Sequence, residues 1–507
     1  MWSIFLIAII IFIGTLIFWQ YRARYRFADE WPTMQPVYPI VGNAPAMMGR
    51  TVIERFELMR DVCISAERIL KVWAGPKLLL VTSHPDLIQQ ILNSSVCLEK
   101  PYLYRFAGFE QGLFTAKYHV WKGARKRINP SFNLRIIHGF VPIFAKCAQK
   151  MVDRLNECAD GATINIHKYT ALCTLEMACG TTMGIDVLQS DGKEEFEHGL
   201  DEAFNGAAIR MTTVYLYPDI IYKLTRYYKE LKKARKIVCD FFIKLIIERQ
   251  HYLQQNNSNS NTNDDDKDAV EDCYKPKILV DQLLTSSVDG KMFNQEQIID
   301  NVYAVITGAV DTTGLLTAHA CLFLAFYPEI QDRLFAEINE HFPSTCDELE
   351  ITHEKLKQLT YTEMFLNEVQ RLWTVVPAIA RQNISEIEID GIKVPPGNTF
   401  GLSLYALHRR RDIWGPDAER FDPENFTEER VKNRHPFAFL PFSGGSRICL
   451  GWRYASFSTK TVMVQLIKNF RFYTKIKQED IRFKHDLTLK LPFEHLVQIT
   501  KRNSVLN

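Results

Sequence analysis

The alternation of apolar and polar residues along this 507-residue chain is mostly that of amphipathic helices. From Val141 to His251, apolar residues recur at three- and four-residue spacing, which predicts helices through the whole segment. A longer apolar helix is predicted from Asn294, where Gln297 completes a capping pattern, to Phe326, just before a proline. Because this helix is apolar on nearly all faces, we expect it to be buried in the middle of a large fold.

Two short strands, Ile69–Ala74 and Leu78–Thr82, are predicted on either side of a Gly-Pro turn. They indicate a small β lobe near the N-terminus, in a chain that is otherwise mainly α. The tract 254–277 is polar and low in complexity, and it has too few apolar residues to bury a core. We therefore predict a disordered surface loop there.

The first twenty residues form an apolar segment. Trp2 to Trp19 carries no charge and would span roughly 27 Å as a helix, close to the hydrocarbon thickness of a bilayer. Arg22, Arg24 and Arg26 follow directly, and the positive-inside rule places them and the rest of the chain in the cytosol. We predict a membrane anchor at residues 1–20, most simply in the endoplasmic reticulum; a buried soluble helix is the alternative.

Residues 21–43 are basic and then rich in proline. Pro32, Pro36 and Pro39 favour extended backbone and cannot continue a helix, so they predict a stiff linker between the anchor and the globular part. The remaining residues, 44–507, are predicted to form one large domain. An apolar fraction of 47% is sufficient for a substantial core.

Charge and cysteine usage exclude several classes of protein. A formal net charge of +2 indicates neither a nucleic-acid-binding protein nor one adapted to acidic substrates. The eleven cysteines include no C-x-x-C pair and no zinc-type spacing. Their odd, irregular distribution argues against a disulfide framework and for a reducing compartment, in which a cysteine can remain a free thiolate.

The candidate chemistry is concentrated in one stretch, FSGGSRICLG. It fits the pattern F-x-x-G-x-R-x-C-x-G at Phe442, Gly445, Arg447, Cys449 and Gly451. A thiolate is a ligand for haem iron, glycines let the backbone pass close to a flat macrocycle, and an arginine can pair with a haem propionate. A lone cysteine is ordinarily a small buried hydrophobe, but this context favours an iron ligand.

This stretch resembles the haem-binding loop of the cytochrome P450 monooxygenases, and further signatures follow in family order along the whole chain. The resemblance implies the cytochrome P450 fold, mainly α with a small β lobe, preceded by a single N-terminal transmembrane helix. The haem would lie between the central helix and the loop of Cys449, its axial ligand. Residues 44–507 would then be a haem-thiolate monooxygenase domain.

A polar interruption in the central helix is the second candidate site. Gly308 and Ala309 are small enough for a flat cofactor, oxygen and substrate to lie against the helix. Thr312 can bond back to the carbonyl of Gly308 and loosen the helix, which leaves room for water. Asp311 beside it can pass on the protons that cleavage of dioxygen requires. A helix kink with satisfied polar groups is the alternative, and the resemblance favours the functional interpretation.

Further residues take their roles from the resemblance. Trp121 and Arg125, one helical turn apart, would hold the haem propionates together with Arg381 and Arg447. The substrate pocket would also be lined by Val376, Ala378, Ile379 and the segment 487–493. Near the first pair, Lys122, Lys126 and Arg127 form a basic patch that either docks an acidic electron-transfer partner or is an ordinary solvated surface.

Glu368 and Arg371 resemble the buried ion pair that braces the loop beneath the haem. The family often completes this brace with an arginine, where this chain has Asn425. The third partner is therefore open at this stage, with Arg420 and His408 as candidates.

The resemblance implies the reaction RH + O2 + NADPH + H+ → ROH + H2O + NADP+, with an apolar substrate. Electrons would come from a separate NADPH–cytochrome reductase, with cytochrome b5 as a second donor, because the chain has no flavin or dinucleotide fingerprint. The cofactor would be haem b. Within the family, the chain resembles the clan that contains the fatty-acid ω-hydroxylases, in an insect branch of it. Members of this clan often have a glutamate that esterifies the haem where this chain has Gly308. We therefore predict no ester link, and the substrate could be a fatty acid, a xenobiotic or a hormone-like lipid.

Two other functions remain open. A haem-thiolate isomerase or dehydratase would need no oxygen or reductase, and the pair Asp311 and Thr312 argues against it. A non-catalytic haem-binding protein would need no proton relay. Consumption of NADPH with added reductase separates both from a monooxygenase.

Overall fold

The computed structural model describes residues 22–186, 192–259, 278–288, 291–343 and 349–502, together with residues 12, 14–16, 19 and 20. Most of the predicted anchor lies outside the described residues and remains a prediction. The described part is mainly helical with small sheets, as the sequence indicates. The helices of the first half are α1 (Ala44–Met47), α2 (Val52–Ser65), α3 (Pro85–Asn93), α4 (Tyr118–Ile128), α5 (Leu134–Asn156), α6 (Ile166–Thr182), α7 (Lys193–Thr212), α8 (Asp219–Lys223), α9 (Arg226–Asn259) and α10 (Leu279–Thr285).

The second half contains the central helix and the elements that surround it. These are α11 (Gln295–Phe326), α12 (Pro328–His341), α13 (His353–Gln358), α14 (Thr360–Leu372), α15 (Leu404–Leu407), α16 (Arg411–Trp414), α17 (Glu428–Lys432) and α18 (Trp452–Asn469). Asn294 caps α11 in a capping box with Gln297, so the predicted start and end of this helix are both confirmed. Helix α9 continues through Asn259, six residues into the predicted loop, because polar glutamines are still good helix formers. Residues 260–277 lie outside the described residues.

The β lobe is a four-stranded sheet in the order β1-β2-β9-β6. Its strands are β1 (Ile69–Ala74), β2 (Lys77–Thr82), β6 (Ala378–Gln382) and β9 (Thr399–Ser403). The first two form the antiparallel pair that the sequence predicts, and β2 pairs in parallel with β9, Leu79 opposite Thr399. The other strands are β3 (Asp160–Asn165), β4 (Ser287–Val288), β5 (Lys291–Met292), β7 (Ile387–Ile389), β8 (Ile392–Val394), β10 (Phe470–Tyr473), β11 (Lys484–Asp486), β12 (Thr488–Lys490) and β13 (Leu496–Lys501).

Helix α11 runs through the core with α5, α6, α14 and α18 around it. Small and hydroxyl-bearing residues let α6 approach it closely. Thr170 donates to the carbonyl of Gly314 at 2.8 Å, and Thr174 donates to that of Val310 at 3.1 Å. Among the described residues, α11 is also the one helix long and apolar enough to span a membrane, but most of its surface is buried inside the protein. It is a core helix, as predicted.

Candidate active site

The loop that carries Cys449 is held in a tight, preformed shape. Gly445 has φ +67°, and a Cβ there would overlap the carbonyl oxygen of Leu92, so only glycine fits. The backbone N–H of Cys449 donates to the carbonyl of Phe442 at 2.9 Å and closes the loop. Two of the motif residues, Phe442 and Gly445, therefore determine the backbone around Cys449.

Cys449 lies deep in the fold, yet the residue retains exposed surface, so it faces an internal opening. Burial raises the pKa of this thiol, whereas a hydrogen bond from the backbone N–H of Gly451 and the positive charge of Arg125 lower it. Gly451 is the N-cap of α18, so the positive end of a helix dipole also points towards the sulfur. These groups favour a thiolate once a cation binds it.

The central helix presents open space in its middle. Gly308 is exposed although its helix is buried, and a Cβ added to it would meet no atom within 4 Å. Thr312 donates to the Gly308 carbonyl at 2.6 Å, as the sequence predicts. Ala309, next to Gly308, and Leu450, next to Cys449, pack against the same hydrophobic cluster. Helix and loop therefore enclose one interior region.

Arginine side chains converge beside this region. The Arg447 guanidinium lies 4.4 Å from the centre of the Trp121 ring and donates to the carbonyl of Ala116 at 3.2 Å. Its Nε and Nη1 atoms are buried and have no hydrogen-bond partner among the described residues. Burial lowers the pKa of Arg447 to about 10, and the charge of Arg381 acts in the same direction.

The other members of this cation cluster come from distant parts of the chain. Arg381 donates to the Ser443 hydroxyl at 3.3 Å, and burial lowers its pKa. Burial also lowers the pKa of Arg125, which lies within electrostatic reach of Cys449. Lys100 is a fourth member that sequence reasoning missed; burial and the charges of Arg381 and Arg447 lower its pKa well below the usual range. No motif marks this lysine, since its neighbours are remote in sequence.

These residues fit a haem. A dianionic group would give the orphaned nitrogens of Arg447 their partners and offset the repulsion among the four cations, Lys100, Arg125, Arg381 and Arg447. Cys449 would offer a haem one soft sulfur ligand, and the open face of Gly308 would allow a flat ring to approach. Among the described residues, no three His, Cys, Asp or Glu side chains cluster to bind a metal ion directly.

Beneath the loop, Glu368 and Arg371 form a fully buried ion pair. Two hydrogen bonds of 2.7 Å join the carboxylate to the guanidinium, and both residues are 0% exposed. Arg371 donates in addition to the carbonyls of His408, Ala418 and Arg420. The ring of His408 accepts the backbone N–H of Leu440 at 3.0 Å, which connects this brace to the start of the Cys449 loop.

Asn425 completes the brace itself. Its side-chain amide donates to Glu368 at 3.1 Å, so Arg420 and His408 contribute only backbone carbonyls to Arg371. A guanidinium is still close: Arg434 donates to the carbonyl of Asn425 at 2.9 Å. It also stacks on Trp414 at 3.9 Å, and Arg371 lies 4.8 Å from the same ring. Sequence reasoning missed Arg434 because it is nine residues beyond the expected position.

A model of the cytochrome P450 family matches residues 32–497. The chain belongs to the cytochrome P450 family. Its relatives include probable cytochrome P450 313a4 of Drosophila melanogaster, 30% identical over 92% of each chain, and cytochrome P450 4c21 of Blattella germanica, 29% identical over 95% of each chain. Human cytochrome P450 4V2 is 28% identical over 94% of this chain and 92% of its own. The predicted resemblance to this clan, insect members included, is confirmed.

As a cytochrome P450, the protein is a haem-dependent oxidoreductase of the monooxygenase class. The family implies dioxygen, a redox partner and a hydrophobic substrate. The segments predicted to line the substrate pocket meet in the structure: the backbone N–H of Leu489 donates to the carbonyl of Val375 at 2.8 Å. Val376, Ala378 and Ile379 follow directly and retain exposed surface.

The basic patch of this cytochrome P450 differs in part from its prediction. Lys122 and Lys126 are exposed on α4. Arg127, however, places its guanidinium 3.7 Å from the centre of the Phe293 ring, so it contributes to packing. The candidate docking charge on α4 therefore comes mainly from the two lysines.

Proposed function

We propose that this cytochrome P450 inserts one oxygen atom of O2 into an apolar molecule with electrons from NADPH, delivered by NADPH–cytochrome reductase, with cytochrome b5 as a second donor. The substrate class is a fatty acid, a xenobiotic or a hormone-like lipid. The observation that carries this proposal is the exposed Cys449 inside the fold, with the open face of Gly308 and, beside it, an arginine whose two buried nitrogens have no hydrogen-bond partner among the described residues.

Each residue has a defined task in this proposal. Cys449 would hold the haem iron through its thiolate, and Trp121, Arg125, Arg381, Arg447 and Lys100 would hold the propionates. Phe442, Gly445 and Gly451 shape the loop. The bound haem supplies the redox chemistry that activates dioxygen. The protein supplies protons through Asp311 and Thr312, because the cleavage of dioxygen consumes them.

The cofactor is proposed to be haem b without an ester link. An ester needs a carboxylate at the Gly308 position, and this position has no side chain at all. Gly308, Ala309, Val376, Ala378 and Ile379 provide an apolar lining with no fixed charge. Such a lining favours apolar substrates and does not select for one particular polar head group on the substrate.

We place the protein in the endoplasmic reticulum membrane with its catalytic domain in the cytosol. In support, Ile220 and Leu224, four residues apart in and beside α8, are 80% and 83% exposed and form one apolar patch. The neighbouring Tyr217 ring contacts that of Tyr102, and Lys77 of β2 lies 3.4 Å from the Tyr102 ring. The proline-rich linker pairs with the adjacent strand β1. These contacts connect the exposed apolar residues to the strand beside the linker, which supports a membrane-facing surface there.

The test is the difference spectrum of the reduced, carbon monoxide-bound protein, compared with Cys449→Ser. We expect a thiolate-type, red-shifted Soret band that the substitution abolishes. Cys239→Ser, at a half-buried cysteine on α9, is the matched control and should retain the band. A band that survives Cys449→Ser would refute the assignment of the ligand.

A second measurement separates the monooxygenase from the other two functions. Reductase and NADPH are added to the holoprotein, and oxygen-dependent consumption of NADPH is expected. A folded haem protein that consumes no NADPH would instead be an isomerase, a dehydratase or a carrier.

A further inference from the structure

The Asp311 carboxylate is held from outside its own helix. Lys490 Nζ lies 2.7 Å from Oδ1, and the Thr488 hydroxyl donates to Oδ2 at 2.8 Å. Both donors belong to strand β12. Thr312, the next residue of α11, points elsewhere because successive helical side chains diverge by about 100°. The two members of the predicted relay therefore have separate partners.

Strand β12 is built to receive a carboxylate. Residues two apart in a strand share one face, so Thr488 and Lys490 present their donors side by side. Leu489, between them, is fully buried on the other face, and its N–H donates to the carbonyl of Val375. The strand is thus anchored to the segment before β6 while it binds Asp311. The donor pair is preformed.

Other charged groups continue outwards from Lys490. Asp201 of α7 and Asp486 of β11 interact with it electrostatically, and its side chain is 24% exposed compared with 13% for Asp311. His198 lies near Asp201, and His167 and His495 feel the charge of Lys490. Asp201 and His198 are exposed, so they extend this group of charges from the carboxylate towards solvent, whereas His495 is buried. Asp311 is three residues after Gly308 and therefore lies on the same side of the helix.

We propose that Lys490 and Thr488 are positioning residues that hold Asp311 as the outer member of the proton path to Thr312. A proton from the solvent side forms an O–H bond on the carboxylate, which then releases a proton to water beside Thr312 and is regenerated. Without these two donors, the carboxylate rotates away and delivers protons too slowly. This inference rests on the proposed function.

The test needs no substrate. The holoprotein is supplied with reductase, NADPH and oxygen, and NADPH, oxygen and peroxide are measured. Oxygen that receives too few protons leaves as peroxide, by O2 + NADPH + H+ → H2O2 + NADP+. Oxygen that is fully reduced follows O2 + 2 NADPH + 2 H+ → 2 H2O + 2 NADP+. We expect Lys490→Met to raise the peroxide per oxygen consumed at least about threefold, towards the level of Asp311→Asn.

Matched variants separate positioning from bulk structure. Lys484→Met removes a lysine directly opposite Lys490 on the partner strand, one that pairs with Asp486, and should leave the stoichiometry unchanged. Lys490→Arg keeps a donor and should restore the wild-type ratio. Thr488→Val removes the other donor and should give an intermediate ratio. The decreases in the thermal midpoint of the holoprotein should be non-additive: the double variant Asp311→Asn/Lys490→Met should be no less stable than Asp311→Asn alone.

The results decide in each case. Equal peroxide ratios for Lys490→Met, Lys484→Met and the wild type would overturn the proposal. Additive decreases in the thermal midpoint of the Asp311→Asn and Lys490→Met variants would overturn it as well. If Lys490→Met binds no haem, the peroxide ratios of Thr488→Val and Lys490→Arg test the proposal instead. A wild-type peroxide ratio in Thr488→Val would then overturn the proposal. Wild-type protein that consumes no NADPH would contradict the proposed function instead. The thermal midpoints do not depend on NADPH consumption, so they test the positioning of Asp311 separately.

Discussion

Two groups of buried charges are connected to the Cys449 loop, and they differ in how completely their members are paired. In the brace, Glu368 and Arg371 satisfy each other, and backbone carbonyls and Asn425 take the remaining bonds. In the cation cluster, four positive side chains approach one another, and Arg447 leaves two nitrogens without a partner among the described residues. A complete network stabilises the protein itself, whereas an incomplete one marks where an anionic ligand binds.

The largest expected effect comes from breaking the complete network. Arg371→Ala leaves the Glu368 carboxylate buried without its countercharge, which should lower the free energy of unfolding by about 3–5 kcal/mol. Chemical denaturation of the holoprotein measures it. Arg333→Ala, which breaks an exposed pair with Glu424, should cost less than about 1 kcal/mol. Similar losses in both variants would show that the brace is not a closed network.

The incomplete group should respond to the ligand rather than to folding. In Arg447→Gln, haem should transfer to apomyoglobin roughly 10-fold faster, because a charged hydrogen bond worth about 1.5–3 kcal/mol is lost. The haem-free protein should lose no stability, since repulsion among the cations falls. Lys122→Gln, at an exposed lysine on α4, is the control and should leave the rate of haem transfer unchanged. Unfolding of haem-free Arg447→Gln at much lower denaturant would make this arginine a structural residue.

A smaller effect is expected from Asn425, at the edge of the brace. Asn425→Ala removes one hydrogen bond to a charged acceptor and should lower the free energy of unfolding by about 1.5–2 kcal/mol. Asn433→Ala, at an exposed position after α17, should change it by less than about 0.5 kcal/mol. A negligible loss in Asn425→Ala would mean that Arg434 alone completes this side of the network.

The smallest effect concerns pH. The pKa of Lys100 is well below 10.5 in the fold, so the unfolded chain binds an extra proton between these two values. Stability of the haem-free protein should therefore rise with pH in that window, and Lys100→Met should remove the rise. Thermal midpoints from neutral to alkaline pH measure it. A Lys100→Met protein with an unchanged slope would exclude Lys100 as its source.

Local patterns predicted the elements on which the site is built. The capping residues and the apolar run of α11 determine its ends, and the turn between β1 and β2 determines their pairing, so both could be predicted from sequence. The Cys449 motif and the back-bond from Thr312 to Gly308 are also local. Spacing within a few residues contains enough information for each of these features.

The partners that complete the site could not be predicted in this way. Lys100 joins Arg381 and Arg447 only through the tertiary fold, and Lys490 reaches Asp311 across 179 positions of the chain. Arg434 stacks on Trp414 from a position that no motif specifies. Tertiary contacts, rather than local propensity, bring these charges together.

The wide sequence separation within the cation cluster also has a consequence for biosynthesis. Arg447 bonds to a carbonyl 331 residues earlier, and β2 must pair with a strand about as distant. A chain emerging from the ribosome therefore presents Lys100 and Arg125 to solvent long before Arg381 and Arg447 exist. Cofactor capture has to be a late event, after Arg447 and Cys449 have been made, and chains terminated before them would remain without haem.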